Sequence, residues 1–389
     1  MPVINRIAEF HPEITAWRRH IHANPELLFD TVKTGAFVAE KLREFGCDEV
    51  VTGIAKTGVV GVIRGRNAGS GKVVGLRADM DALPIQEARD LPYKSQNPGV
   101  MHACGHDGHT AMLLGAAKYL TETRNFDGTA VVIFQPAEEG GGGGKVMVDE
   151  GMMERFGIGE VYGMHNWPGA PVGSVNMRPG PLMAAADTYD ITIKGYGAHA
   201  AKPHEGLDPI VAASHLVTAL QQIASRNLDP LDSLVISVTK FHAGTAHNVI
   251  PQEAVISGTV RTLKAETRDM AERRMGEVAA GIAAAHGCQA EMQYNRGYPV
   301  TVNHAEQTEF AAQVAMEVAG AANVSTDVLP VMGGEDFSYM LEARPGAYVF
   351  LGQGDTAGVH HPEYDFNDEV IPVGSSLYVR LVETAMPVA

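Results

Sequence analysis

Met101–Thr110 reads Met-His-Ala-Cys-Gly-His-Asp-Gly-His-Thr and leads directly into the helix-forming run Ala111–Leu120. Three histidines, an aspartate and a cysteine fall within this short segment, and its two glycines let the backbone turn tightly. A thiolate and imidazoles together suit Zn²⁺ or a comparable transition metal better than Ca²⁺ or Mg²⁺. Because Cys-x-His alone does not close a four-ligand site, the segment predicts part of a metal site whose other ligands lie elsewhere.

The composition bounds the class of protein. A chain of 389 residues favours two domains, and a net charge of −16 argues against binding to nucleic acid or to anionic membranes. Three cysteines are too few for a disulfide framework, and we find neither a signal peptide nor an apolar run long enough to span a membrane. These features predict a cytoplasmic protein that acts on a small molecule.

Near-continuous apolar segments on both sides of Met101–Thr110 predict buried strands. Val59–Arg64 and Lys72–Arg77 are separated by a glycine-rich loop that is typical of a hairpin, and Ala130–Phe134 and Glu160–Met164 follow. Apolar strands that alternate with helices are typical of a buried α/β sheet.

The pattern of predicted secondary-structure elements changes after residue 182. The expected elements alternate as strand, helix, strand, strand, helix and strand, which is the order of a ferredoxin-like α+β module. They are Asp187–Lys194, Asp208–Ala224, Ser233–His242, Ala254–Leu263, Ala265–Ala285 and Gln289–Tyr294. We therefore predict a discontinuous α/β domain, residues 1–182 and 297–389, that carries an inserted domain at residues 183–296.

Several candidate ligands follow predicted strands of the larger domain. Open α/β sheets bind ligands beyond the carboxyl ends of their strands, so we expect these side chains to converge. The candidates are Asp79, Asp81, Cys104, His106, Glu138, Glu139, His165, His360 and His361. Cys104, His106, one glutamate, His165 and one C-terminal histidine are five ligands, which suffices for two metals that share a bridging group.

The adjacent pair Glu138-Glu139 follows a strand and precedes a run of glycines. Adjacent residues in an extended segment point to opposite sides, so one carboxylate can bind a metal while the other faces a water molecule. A base beside a metal-bound water is what amide hydrolysis requires.

Several motifs occur in the order found in one enzyme family. They are Arg77–Pro84, His102–His109, Gln135–Gly140, Gly195–Ala200, Gly244–Pro251, Met332–Phe337 and His360–Tyr364. By these motifs the chain resembles the aminoacylase and carboxypeptidase clan of dinuclear metalloamidohydrolases, in the branch of hippurate hydrolases and auxin-conjugate (IAA-amino acid) amidohydrolases. The resemblance implies a zinc-exopeptidase-like, mixed-sheet α/β catalytic domain whose insert serves as dimerisation and lid domain.

The resemblance also implies roles for individual residues at the metal centre. Cys104 would bridge two divalent ions, Glu138 would be the general base, and Asp81 would orient a ligand in the catalytic site. The other ligands would be His106, Glu139, His165 and His360. The clan has an aspartate where this chain has Cys104, which leaves zinc, manganese, cobalt and nickel as candidate ions.

In the inserted domain the resemblance implies contacts with the substrate. His199 resembles a catalytic histidine that reaches the neighbouring subunit's site and stabilises the oxyanion. Asn248 and Gly334 resemble residues that bind the substrate, and Arg261 resembles the arginine that binds its carboxylate. A homodimer or a dimer of dimers is therefore expected.

The implied activity is metal-dependent hydrolysis of N-acyl amino acids, with hippurate-like N-aroyl or N-acetyl substrates. A dipeptidase or carboxypeptidase of the same clan is the alternative. From other classes, a binding protein with a structural zinc site would need no spare carboxylate beside Glu139. A cysteine-nucleophile hydrolase that uses Cys104 would keep its activity after chelation of metals.

Overall fold

The computed structural model describes residues 2–67 and 69–388. These residues form a mixed α/β structure with two compact units. The first unit comprises residues 1–182, 302–329 and 336–389, and the second comprises residues 183–301 and 330–335.

The described residues form ten α-helices. They are α1 Asn5–Ala23, α2 Val32–Phe45, α3 His106–Thr123, α4 Gly143–Asp149, α5 Met152–Arg155, α6 Pro209–Gln222, α7 Ala265–Ala285, α8 Ala305–Ala319, α9 Ser338–Ala343 and α10 Ile371–Ala385. Among the residues described, none of these helices is both long enough and apolar enough to cross a bilayer.

Sixteen strands are present in the same described residues. They are β1 Glu49–Ile54, β2 Gly58–Arg64, β3 Val73–Asp79, β4 Thr129–Gln135, β5 Glu160–Pro168, β6 Val175–Asn176, β7 Gly180–Met183, β8 Ala185–Lys194, β9 Ala198–His199, β10 Leu234–Ala243, β11 Val249–Ile250, β12 Glu253–Thr262, β13 Gln289–Tyr298, β14 Thr301–Asn303, β15 Val324–Ser325 and β16 Gly346–Gly354.

The first unit contains an eight-stranded mixed sheet in the order β1-β2-β4-β3-β5-β16-β6-β15. Strands β4, β3, β5 and β16 run parallel, whereas β1 and β2 are antiparallel to their neighbours. The carboxyl ends of the four parallel strands therefore lie at one edge of the sheet. This arrangement confirms the predicted α/β class.

The predicted hairpin between β2 and β3 is wrong. Both strands bind β4, which lies between them, and β2 is antiparallel to β4 while β3 is parallel to it. The connection from β2 to β3 therefore passes β4 and is not a tight turn between paired strands. Local turn residues signal a change of chain direction, but the partner of a strand is chosen by the packing of the whole sheet.

Helix α3 lies at the centre of the first unit, and α1, α2 and α10 pack against it. Its interior positions, including Leu113, Leu114 and Ala117, are fully buried, and so are Val132 and Phe134 of the adjacent β4. Because α3 is packed against other elements on nearly all sides, its first turn has little freedom to move. That first turn begins at His106.

The second unit is an antiparallel four-stranded sheet in the order β10-β12-β8-β13, with helices α6 and α7 packed against it. Tyr189, Ile191 and Ile193 of β8 alternate with more exposed residues and face the helices. The order strand, helix, strand, strand, helix, strand is the one that the sequence predicts. The unit runs to Thr301 and includes residues 330–335, because the N–H of Ala184 donates to Val331 O and Gly333 O.

Candidate metal centre

The candidate ligands of the first unit follow its parallel strands. Asp79 ends β3, Glu138 and Glu139 lie just beyond β4, His165 lies in the last half of β5, and His360 follows β16. Since these strands share one direction, their carboxyl ends bring the side chains to the same edge of the sheet.

A single glycine separates the two ligands of the cysteine–histidine motif. Gly105 has a φ of +95°, and a Cβ at this position would lie 2.0 Å from Asn166 Oδ1 and 2.6 Å from Tyr364 Oη. Both the left-handed backbone and the close approach exclude any other residue without a shift of the loop. Gly105 thus sets the direction of Cys104 on one side and of His106, at the start of α3, on the other.

Five predicted ligands form one cluster. The distance from Cys104 Sγ to His165 Nε2 is 3.3 Å. His360 Nε2 lies 3.3 Å from Glu139 Oε1, which is also 3.9 Å from His106 Nε2. Ligand atoms of Cys104, His106 and His165 lie within 4.8 Å of one another, and so do those of Cys104, Glu139 and His360. Cys104 belongs to both groups.

The donor atoms of this cluster fit divalent transition metals. His106 Nε2 and Glu139 Oε1 are buried and make no hydrogen bond with any described residue. His106 Nδ1 donates to Asp81 O over 2.8 Å, and His165 Nδ1 donates to Asn166 O over 2.6 Å. These bonds direct the Nε2 atoms of both rings at the cluster, which is the ring orientation that a metal ligand needs.

The electrostatics of the cluster also favour a bound cation. Burial raises the pKa of the Cys104 thiol well above its usual value, and the carboxylates of Glu139 and Glu138 raise it further. Burial alone would lower the pKa of His106, but Asp79 and other carboxylates outweigh it and raise that pKa to about 10. A nucleophilic cysteine requires a lowered pKa, so this environment disfavours the cysteine-nucleophile alternative, whereas a divalent cation would stabilise the thiolate.

Glu138 and Glu139 lie in a turn, and the expectation that they occupy an extended segment is wrong. Ala137 has a φ of +56°, and the N–H groups of Glu138 and Glu139 donate to the Asp81 carboxylate over 2.9 and 3.1 Å. Both carboxylates consequently approach the same atom, with Glu138 Oε2 4.0 Å and Glu139 Oε1 3.9 Å from His106 Nε2. Asp81 therefore binds the turn through its side-chain carboxylate, and it binds the His106 ring through its backbone carbonyl oxygen.

The structure distinguishes the two C-terminal histidines. The N–H of His360 donates to Ala103 O over 2.6 Å, which places the His360 side chain beside the cluster despite a φ of +65°. In contrast, Nδ1 of His361 accepts from the N–H of Glu363 over 3.1 Å, and His361 belongs to no ligand group among the residues described. The geometry therefore favours His360.

A buried network behind the ligands was not assigned from the sequence. His109 Nδ1 donates to Asp79 Oδ1 over 2.6 Å, and Asn166 bonds to the other side of the His109 ring. Arg77 donates to Asp79 Oδ2 over 2.8 Å and to Asp336 Oδ1 over 2.9 Å. The spacing of His106 and His109, three residues apart on one helix face, was the available signal for this role.

The second unit holds the other predicted residues in two pairs. His199 and Asn248 lie on adjacent chain segments, since the N–H of Ala200 donates to Asn248 O over 3.0 Å. Arg261 pairs with Ala186 in the β8–β12 ladder, and a Cβ at Gly334 would lie 2.8 Å from Ala186 Cβ. Each pair is thus a local neighbourhood within this unit.

The fold and the cluster define a class of protein. A mixed α/β sheet that carries thiolate, imidazole and carboxylate ligands, with a further carboxylate beside them, is the arrangement of a metal-dependent hydrolase. The model of the peptidase family M20/M25/M40 matches residues 75–384, and the chain belongs to this family.

The chain is similar to proteins of known name over nearly its whole length. It is 45% identical over 381 residues to hippurate hydrolase of Campylobacter jejuni, with 98% of each chain covered. It is 40% identical over 373 residues to N-acetylcysteine deacetylase of Bacillus subtilis, with 96% of each chain covered. The chain also resembles a Bacillus subtilis protein whose crystal structure is described as a dinuclear metal binding peptidase of the M20 family. The two structures superpose with a TM-score of 0.85 at 36% sequence identity, and the match covers 97% of this chain and 99% of that chain.

These similarities confirm the resemblance to the metalloamidohydrolase clan. The chain is a metal-dependent amidohydrolase, so the alternative of a non-catalytic protein with a structural zinc site is excluded.

Proposed function

We propose that this protein hydrolyses the amide bond of N-acyl amino acids, with hippurate-like N-aroyl or N-acetyl substrates, to a carboxylic acid and a free amino acid. The observation that carries this proposal is the cluster of Cys104, His106, Glu139, His165 and His360, with Glu138 beside it. The hippurate hydrolase and N-acetylcysteine deacetylase similarities support the substrate class.

We assign two divalent ions to the cluster, and Cys104, which belongs to both ligand groups, would be a ligand of both. His106, Glu139, His165 and His360 would complete the two sets of ligands. When bound, such ions supply Lewis acidity, which polarises the amide carbonyl and acidifies a water molecule. Zinc, manganese, cobalt and nickel all match the donor set.

We assign proton transfer to the Glu138 carboxylate. Amide hydrolysis requires a base that accepts a proton from the attacking water and then donates one to the leaving amine nitrogen. Glu138 is held in place because its N–H donates to Asp81 Oδ1. Its side chain is largely buried, which restricts the exchange of that proton with solvent.

Arg261 is our candidate for binding the substrate carboxylate. Its guanidinium is half-buried and donates to the carbonyl oxygens of Asp187 and Val260. Within the described residues it makes no ion pair with a carboxylate. A planar guanidinium without a carboxylate partner is suited to bidentate recognition of an anion. We assign Asn248 and Gly334 to the same binding function by the family motif.

His199 is our candidate for stabilising the oxyanion, in the site of a neighbouring subunit of a homodimer. Its Nδ1 accepts from the N–H of Ala201 over 3.1 Å, so the neutral ring carries its proton on Nε2 and can donate it. The side chain is exposed in the single chain. Mixing inactive His199→Ala and Glu138→Gln subunits should restore activity, because a heterodimer then contains one intact site. No recovery of activity in the mixture would contradict a shared site.

The experiment that tests the proposed function is a substrate screen with controlled metal content. Protein stripped of metal is re-supplied separately with zinc, manganese, cobalt or nickel. Hippurate, N-acetyl amino acids and a dipeptide are then offered, and the free amino acid is measured by liquid chromatography. We expect turnover of an N-acyl amino acid that depends on the added ion. Faster turnover of the dipeptide would favour the peptidase alternative, and turnover without metal would refute the proposal.

We also propose a cytoplasmic location. All three cysteines, Cys47, Cys104 and Cys288, are free thiols, which a reducing compartment preserves. Fractionation of the producing cells, followed by immunodetection, tests this proposal.

A further inference from the structure

A cavity opens at the amino-terminal edge of the first unit's sheet. Its volume is about 430 Å³, and it lies where β3 and β5 begin, beside the first turn of α8 and the last residues of α10. From Val73 to Asp79, β3 advances about 3.3 Å per residue, so the cavity lies roughly 20 Å from the end of β3 at the metal centre. It is therefore a separate site.

Two polar groups on the wall of this cavity make no hydrogen bond within the described part of the chain. Gln307 is 7% exposed, and its side-chain amide makes no hydrogen bond with any residue that the structure describes. The Thr384 hydroxyl is buried and likewise without a partner among these residues. Because a buried polar group that is left unsatisfied is costly, the Thr384 hydroxyl points to a ligand with polar hydrogens or lone pairs, and the Gln307 amide is available to bind the same ligand.

The charged residues around the cavity indicate whether that ligand is a cation or an anion. The carboxylates of Glu160 and Glu306 line it, and neither makes an ion pair with a lysine or arginine among the residues described. The Glu160 carboxylate accepts a hydrogen bond from the Tyr162 hydroxyl over 3.0 Å. Among the described lining residues Lys72 is the single cation, and its ammonium donates to Ala385 O over 3.3 Å at the carboxyl end of α10. Two carboxylates against one ammonium leave a net charge of −1, and the end of a helix adds further negative potential.

Aromatic rings form the apolar part of the wall. The Tyr162 and Phe310 rings lie 5.9 Å apart, and both line the cavity. Aromatic faces attract organic cations and also bury their hydrocarbon parts. The cavity volume lies within the range of small-molecule sites.

We propose that this cavity binds a small organic cation, either a primary ammonium or a guanidinium compound. Its cationic nitrogens pair with Glu160 and Glu306, its remaining N–H groups donate to the Gln307 amide oxygen and the Thr384 hydroxyl, and its alkyl part packs on Phe310. An N-acyl amino acid is an anion and would be repelled, so this is not a second substrate site. The inference does not depend on the proposed function.

Isothermal titration calorimetry on the metal-loaded protein tests this inference with two matched probes. Butylguanidine is a cation, and butylurea is its neutral isostere. We expect one molecule of butylguanidine to bind per chain, at least about tenfold more tightly than butylurea, because only the cation pairs with the carboxylates. The double variant E160Q/E306Q should weaken butylguanidine binding about tenfold, since each removed surface pair accounts for a few-fold in affinity.

The control variant is Glu309→Gln, which removes an exposed carboxylate on α8 outside the cavity and should leave the affinity unchanged. Equal affinities for the two probes, or no binding of either, would overturn the inference. It would also be overturned if E160Q/E306Q bound butylguanidine as the unchanged protein does while Glu138→Gln lost it, because the cation would then occupy the metal centre.

Discussion

Separate substitutions of Glu138 and Glu139 test whether the first is the general base and the second is a metal ligand. Glu138→Gln keeps the shape of the side chain and the backbone hydrogen bond to Asp81 but removes the carboxylate that we assign as the base. Glu139→Gln is the matched control, because Glu139 Oε1 lies 3.3 Å from His360 Nε2 and 3.9 Å from His106 Nε2. The two residues are neighbours in one turn, so local perturbation of the backbone is similar in both variants.

Glu138→Gln should lower the catalytic rate, whereas Glu139→Gln should lower the metal content. A positioned general base contributes about a hundredfold to ten-thousandfold to the rate, so Glu138→Gln should lower kcat by that factor, which is about 3–5 kcal/mol of activation free energy. Its metal content should stay close to that of the unchanged protein. Glu139→Gln should lose bound metal, because an anionic ligand is replaced by a neutral amide.

The assay combines two measurements on the same samples. Initial rates are measured with a hydrolysed N-acyl amino acid, and bound metal is measured by inductively coupled plasma mass spectrometry after gel filtration. If Glu138→Gln kept kcat within tenfold of the unchanged protein, the assignment of the base would be wrong. If the two variants lost metal equally, the distinction between base and ligand would have no support.

Three further predictions concern the loop, the anion site and a buried histidine. Gly105→Ala should lower the free energy of unfolding by at least about 2 kcal/mol and reduce metal content, because its Cβ would lie 2.0 Å from Asn166 Oδ1; thermal unfolding and metal analysis check this. Arg261→Ala should raise KM with little change in kcat if the guanidinium binds the carboxylate equally in ground and transition states, and equal turnover of a carboxamide-terminated substrate would contradict the idea. Burial alone would lower the pKa of His22, but hydrogen bonds to carboxylates, first to Asp107, raise it to about 9. The stabilisation by His22 is therefore present below about pH 6.5 and lost as the pH rises through about 9, so His22→Gln should be more destabilising in urea at pH 6 than above pH 9.

The ligand cluster could be predicted because its members share a simple placement. Glu139 and His165 of the cluster, like Asp79 and Glu138 beside it, lie at or near the carboxyl ends of apolar segments, and parallel strands bring those ends to one edge. The inserted unit could be predicted for a similar reason, since its strands alternate in burial where one face meets helices. Both features depend on periodicity along a short stretch of chain.

Other features depend on partners far away in the chain. Residues 65–71 look like a hairpin, but β4 inserts between β2 and β3 because the sheet must bury all three apolar strands together. The Glu138-Glu139 turn arises from the Asp81 carboxylate, which accepts both backbone N–H groups from 57 and 58 residues away. No sequence pattern near Glu138 predicts these two hydrogen bonds.

The sequence by itself determined which candidate ligands are available at the strand ends, because thiol, imidazole and carboxylate groups carry their coordination preferences with them wherever the chain places them. Only the tertiary structure decided how those groups face one another. It oriented His106 Nε2 through a hydrogen bond to the distant carbonyl oxygen of Asp81. It also favoured His360 over His361 and brought the carboxylates of Glu138 and Glu139 to one side of His106. The physical reason is that the orientations of His106, His360 and the two glutamates come from hydrogen bonds between segments that are remote in sequence, whereas the chemistry of a side chain is a property of the residue alone.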